Sequence, residues 1–163
     1  MTKYIGLDLS LTSTGFFVLE NGKEVESKLI KIKSEGRKKE KEIRLIRDLI
    51  MKEVIKYPKK TTKIMIEDFA YGILFMKING KPICNSVFEL GGLGYAVRIK
   101  LLEFGYDFGL VPPTVLKKYA CGVGNCKKEM MLKEAYKQYK MDFKSNDICD
   151  AFWLAKYAEE VMK

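Results

Sequence analysis

Four acidic side chains stand where an apolar pattern leaves them costly. Asp8 closes the run Tyr4-Ile5-Gly6-Leu7, Glu67 closes Ile64-Met65-Ile66, and Asp147 and Asp150 sit three residues apart near the C-terminus. A carboxylate at the end of a buried strand is expensive to desolvate unless a cation pairs with it. Acids three apart on a helix share a face. Each placement has an ordinary explanation: a strand turning into a loop, or acids in a first helical turn complementing the macrodipole. For Asp147 alone that explanation suffices. Asp150 is harder to dismiss, because it lies close to the apolar stripe of Ala151, Leu154, Ala158 and Val161. As a set, these hard oxygen donors suit Mg²⁺ or Mn²⁺ and are poor ligands for zinc. Two such ions roughly 4 Å apart can activate a water and stabilise the leaving oxygen of a phosphodiester.

The composition narrows the remaining chemistry. The 163 residues contain no histidine, which removes Ser–His and Cys–His nucleophilic catalysis and every His-containing zinc site. The four cysteines, Cys84, Cys121, Cys126 and Cys149, match no zinc module and are expected as reduced, mostly packed thiols. An enzyme built from this chain must therefore use carboxylates, lysines, a metal or a cofactor. Thirty Lys+Arg against 21 Asp+Glu leave a net charge of +9, which favours a polyanionic partner, nucleic acid or an anionic membrane face. Charge alone does not separate these from a generically soluble basic protein. Met1-Thr2-Lys3 leads into a strand without an apolar leader, and no apolar stretch approaches spanning length, so a cytoplasmic protein without membrane insertion is expected. The length suits one domain over residues 1–163.

The elements that must deliver the acids can be read in order. Tyr4–Ser10 is a strand, and Asn21-Gly22 between Gly15–Glu20 and Lys23–Lys33 is a strong hairpin signal. Three consecutive antiparallel strands follow from this, with Tyr4–Ser10 innermost. Ile43, Ile46, Ile50, Val54 and Tyr57 recur at helical spacing and predict a helix from Arg37 to Tyr57, stopped by Pro58. The strand Lys63–Asp68 should pair parallel to an earlier one through a right-handed crossover. Glu67 then reaches the carboxyl edge beside Asp8, where sites form in α/β sheets.

From Phe69 to Cys84 the chain is apolar and aromatic with interspersed lysines, and Asn79-Gly80 suggests a small hairpin. The segment reads equally as a functional loop or a packed flap. A helix from Asn85 to Phe104 contains Gly91, Gly92 and Gly94, each costing about 1 kcal/mol against Ala. Close approach of another backbone, from the sheet or a partner subunit, would offset that cost. Tyr106–Val111 reads as the last strand, followed by helices over Thr114–Tyr119, Lys127–Tyr139 and Asn146–Met162, the last capped by Ser145. Lys127 and Lys128 open their helix against its macrodipole, a placement that makes sense if a phosphate sits there.

The order and spacing of these pieces resemble the RuvC-like Holliday-junction resolvases of the ribonuclease H-like superfamily across nearly the whole chain. The resemblance rests on Ile5-Gly6-Leu7-Asp8, Ile66-Glu67, Phe88-Glu89-Leu90-Gly91-Gly92-Leu93-Gly94, Pro113-Thr114-Val115-Leu116-Lys117, Gly122-Val123-Gly124, Lys127-Lys128 and Asn146-Asp147-Ile148-Cys149-Asp150-Ala151. It implies an α/β, ribonuclease H-like fold with a five-stranded mixed sheet flanked by helices, and a homodimer built on the Gly-containing helix. It also implies metal-dependent paired nicking of four-way DNA junctions. Carried over by position, Asp8, Glu67, Asp147 and Asp150 would be ligands for two Mg²⁺, with Mn²⁺ able to substitute. Lys117 and Lys128 would lie near the scissile phosphate, with Lys118 and Lys127 as adjacent competitors. Phe69, Tyr71 and Phe75 are candidates for the aromatic that such proteins insert into the junction, and Lys77 and Lys81 for further DNA contacts. Bacterial members usually read Asp-x-Gly-Ser at the first motif, where this chain has Asp8-Leu9-Ser10, and the loop after Glu67 is longer. In this the pattern is nearer to phage-encoded relatives.

Three other functions compete. Asp8–Gly15 looks like the phosphate loop of actin-like ATPases and sugar kinases, but those folds need two such units. A non-catalytic branched-DNA-binding module would not need all four carboxylates. A nuclease of the same fold acting on RNA–DNA hybrids or flaps fits the same residues.

Overall fold

The computed structural model describes residues 1–33, 35–69, 77–78, 81–82 and 84–163, with the backbone alone described at 77–78, 81–82 and 84–86. Strand β1 (Lys3–Asp8) pairs antiparallel with β2 (Ser13–Glu20), which pairs antiparallel with β3 (Lys23–Lys31). The β2–β3 turn is the expected one: Asn21 and Gly22 both take positive φ, 51° and 71°, as a tight hairpin requires. After helix α1 (Lys39–Val54), β4 (Thr62–Glu67) returns parallel to β1, with Leu7 opposite Ile66. Strands β5 (Lys77–Ile78) and β6 (Lys81–Pro82) form the small antiparallel ribbon expected near Asn79-Gly80. Helix α2 (Cys84–Glu103) then leads to β7 (Phe108–Val111), which is parallel to β4. The main sheet runs β3-β2-β1-β4-β7, five strands of mixed direction.

Helices α3 (Pro113–Cys121), α4 (Lys128–Tyr139) and α5 (Asn146–Val161) complete the described chain. Alternation along the strands sends side chains to two cores. On one side Ile5, Leu7, Phe16 and Val18 meet Ile46, Ile50 and Val54 of α1 and Leu93, Val97 and Leu101 of α2. On the other, Phe17, Leu19 and Met65 meet Phe152, Trp153 and Ala155 of α5, with Leu116, Met131 and Ala135 from α3 and α4 behind them. Among the described residues no helix is long and apolar enough to cross a membrane.

Two strand glycines decide how close α5 lies. A Cβ on Gly6 would collide with the Ala151 carbonyl and come within 2.7 Å of the Ala155 nitrogen. A Cβ on Gly15, which pairs with Asp8, would strike the backbone carbonyl of Asp147. Backbone-to-backbone contact at these two points draws the first turns of α5 onto β1 and β2.

Several expectations need correction. Helix α1 is shorter than the apolar pattern suggested, because Tyr57 leaves the helix and its hydroxyl donates to Glu26 at 2.5 Å. Strand β7 begins at Phe108, since Tyr106 is buried and its hydroxyl donates to the Tyr57 carbonyl at 2.6 Å. Ser145 occupies the N-cap of α5, but its hydroxyl makes no cap bond; its carbonyl accepts from the Cys149 N–H at 3.1 Å. Cys121 and Cys126, expected as thiols, are joined in a disulfide. Helix α3 ends on Gly122 in the left-handed region, φ 82°, and the reversed chain returns Cys126 to a Cα distance of 6.5 Å from Cys121. Cys149 is free and buried. Of the α2 glycines, a Cβ at Gly91 would meet nothing among the described residues of this chain, and one at Gly92 only the side chain of Ile43 among them, so the sheet does not supply the expected backbone contact there. Gly94 is crowded, but by the ring of Phe69 rather than by a backbone.

Candidate metal centre

Asp8 ends β1 and Glu67 ends the parallel neighbour β4, so both acids emerge at the same carboxyl edge of the sheet. The stretch before each is fully buried: Ile5, Leu7, Ile64 and Ile66 have no exposed surface. The two strand ends are therefore held by packing on both sides. Helix α5, seated on Gly6 and Gly15, brings Asp147 and Asp150 to this edge.

The electrostatics show which acids feel one another's charge. Asp8 keeps some exposure as a residue, but desolvation of its carboxyl pushes its pKa well above the usual range, and Asp150, Glu67 and Asp147 push it further. Glu67 is raised to about 7, first by burial and then by Asp150, with Lys117 and Lys128 opposing. Asp150 is raised by burial, and by Asp147, against the pull of Lys128 and Lys117. Mutual repulsion among desolvated carboxylates is what a bound cation relieves.

Lys128 already meets part of that need. Its ammonium lies 2.9 Å from Asp150, whose side chain is only 13% exposed. Burial alone would lower the Lys128 pKa, but Asp150, Asp8 and Asp147 together raise it. The cation that seemed misplaced in the first turn of α4 is thus compensated from α5. Among the described residues, no three His, Cys, Asp or Glu side chains stand close enough to hold a metal ion. The donor chemistry nonetheless fits a hard divalent cation: every candidate ligand is a carboxylate, and three of them have pKa values raised by burial and by neighbouring carboxylates.

The lysine pairs separate. Lys117 acts on Glu67 and Asp150. Its neighbour Lys118 is exposed and lines an open cavity of about 540 Å³ with Thr114, Val115, Tyr119 and Gly124. Lys127 is exposed at the N-cap of α4, one residue before the pair that Lys128 makes. Phe69 does not extend from the body. Its ring packs on Gly94, beneath the Arg98 guanidinium at 4.5 Å and beside Tyr95 at 5.8 Å. Tyr71 and Phe75 lie outside the described residues, as do the side chains of Lys77 and Lys81 in the β5–β6 ribbon.

One arrangement beside the site escaped the sequence reading. Asp68 accepts from Arg98 of α2 at 3.0 Å and from the Phe69 N–H at 2.9 Å. Arg98 is 8% exposed. This holds the chain directly after Glu67 against α2. A signal existed: Arg98 falls between Val97 and Leu101 on the apolar side of its helix, where a buried cation requires a partner.

No protein-family model matches the chain, and no curated protein matches it. Solved structures do share its fold. Thermus thermophilus RuvC in complex with Holliday junction substrate superposes with a TM-score of 0.72 at 16% identity, over 95% of this chain and 91% of that one. A further Thermus thermophilus RuvC structure gives 0.68 at 17% identity, over 94% and 90%. The yeast mitochondrial Holliday junction resolvase Ydc2 gives 0.59 at 15% identity, over 93% and 75%. The α/β architecture with its five-stranded mixed sheet is the RuvC-type, ribonuclease H-like fold.

Proposed function

We propose that this chain is a metal-dependent, structure-selective endonuclease that resolves four-way DNA junctions by paired nicking. The observation that carries this reading is the convergence of Asp8, Glu67, Asp147 and Asp150, with Lys117 and Lys128, at one sheet edge. The shared fold with RuvC structures, one of them bound to Holliday junction substrate, supports it. So does the net charge of +9, which suits a phosphate backbone.

In this reading Asp8, Glu67, Asp147 and Asp150 would hold two Mg²⁺, or Mn²⁺ in their place. Such ions, when bound, activate a water and stabilise the leaving oxygen of a phosphodiester. The protein supplies position. Strands β1 and β4 hold Asp8 and Glu67 as a fixed wall, and α5 brings the two aspartates to it. Lys117 and Lys128 offer their ammonium groups to the scissile phosphate, where charge develops as water displaces the 3′ oxygen in line. The products are a 5′-phosphate and a 3′-hydroxyl.

Paired nicking requires two such sites, and α2 presents a surface for a second copy. Phe88, Tyr95, Ile99 and Leu102 recur at helical spacing and are 54–68% exposed, an apolar face of the kind that marks interfaces.

The decisive experiment compares cleavage of a four-way junction, a three-way junction, a flap and an RNA–DNA hybrid in Mg²⁺. Preference for the four-way junction is expected. Preference for the hybrid or the flap would replace this substrate with another on the same chemistry. Asp8→Asn should still bind junctions and no longer cut them; cutting at the normal rate would refute the metal assignment. Binding without cleavage by the unsubstituted protein would make it a junction-binding module.

A further inference from the structure

We infer that Lys128 is the resident cation of the metal-free protein, and that it must release Asp150 before the carboxylates can close on an ion. The inference rests on the metal reading above and concerns what occupies the acids before metal arrives.

Lys128 comes from the first turn of α4, not from any element that carries the acids. Its Nζ is 2.9 Å from Asp150 Oδ2, and the two ends of this pair differ in freedom. The Asp150 side chain is 13% exposed and held on a helix seated against the sheet, whereas the Lys128 side chain is 53% exposed. The ammonium can therefore leave by rotation of its own stem more readily than the carboxylate can. Among the described residues no three potential ligands stand close enough together to hold an ion.

Release has a natural recipient. A lysine in the first turn opposes the helix dipole once its carboxylate partner is lost, and a phosphate arriving at that helix end restores the compensation. Ion entry and phosphate contact thereby become linked through one side chain. While Asp150 is held, Lys128 is withheld from DNA; once the acids hold an ion, Lys128 is freed for the scissile phosphate.

The test is Mn²⁺ affinity of the full chain by isothermal titration calorimetry without DNA, at pH 8. Lys128→Gln should bind Mn²⁺ about tenfold more tightly than the unsubstituted protein, the size expected when a competing, partly buried ion pair is removed. Lys128→Arg, which keeps a cation on Asp150, should stay within about twofold. Lys144→Gln makes the same charge change at an exposed position near the start of α5 and should also stay within about twofold. An unchanged or weaker affinity in Lys128→Gln overturns the inference, because Lys128 would then not compete. Equal tightening in Lys144→Gln overturns it as well, by reducing the effect to overall charge. No Mn²⁺ binding by the unsubstituted protein would refute the metal reading itself, and the inference with it.

Discussion

Replacing Glu67 by Gln should make the metal-free protein more stable, and only at high pH. The Glu67 carboxyl is pushed from its ordinary 4.5 to about 7, by burial first and by Asp150 second. A group with a raised folded-state pKa favours folding below its unfolded value, where it is protonated in both states. That contribution is lost as pH climbs through the folded pKa. The window here runs from about 4.5 to about 7, and the shift across it corresponds to about 3 kcal/mol. Gln has the shape of the protonated acid and never acquires the charge. At pH 4, below the window, the two proteins should therefore melt nearly together. At pH 8 in EDTA the variant should melt about 6–12 °C higher, given about 2–4 °C per kcal/mol for a chain of this size. Adding Mg²⁺ at pH 8 should raise the melting temperature of the unsubstituted protein more than that of Glu67→Gln, which has lost one of the four carboxylates a cation compensates. Differential scanning calorimetry at the two pH values, with and without Mg²⁺, supplies all four numbers. A variant that melts lower than its parent at pH 8, or equally at both pH values, would show that Glu67 carries no desolvation strain, and the argument for a cation-seeking cluster would fail.

Two further outcomes follow from packing. Gly6→Ala should destabilise the fold by about 3 kcal/mol or more, seen as a loss of thermal stability, since its Cβ would meet the α5 backbone rather than a movable side chain. The same change should weaken Mn²⁺ binding, because it lifts Asp147 and Asp150 away from Asp8. Leu102→Glu places a charge on the exposed apolar face of α2 and should yield a monomer by light scattering, whereas the proposal expects the unsubstituted protein as a dimer. Its junction products should be unpaired single nicks; a parent that is itself monomeric would refute the pairing.

Much of the architecture could be read from local pattern. Asn21-Gly22 set the hairpin through its two positive φ angles, and the short apolar run before Glu67 predicted a parallel return beside β1, as β4 makes. Strand ends placed Asp8 and Glu67, and the three-residue step placed Asp147 and Asp150 on one helical face. These are consequences of backbone geometry over a few residues, which a sequence carries directly. Contacts between distant residues were another matter. Nothing local marks Gly6 and Gly15 as the floor on which α5 rests, pairs Asp68 with Arg98, or joins Cys121 to Cys126 across a reversed loop. Lys128 is the sharpest case. Next to Lys127 it reads as an awkward cation at a helix start, and only the packing of α4 against α5 gives it Asp150 as a partner. Periodicity reports which face of an element is apolar, so the four acids could be named in advance. Which charge stands against them depends on how whole helices are stacked, and that is settled by burial summed over both cores.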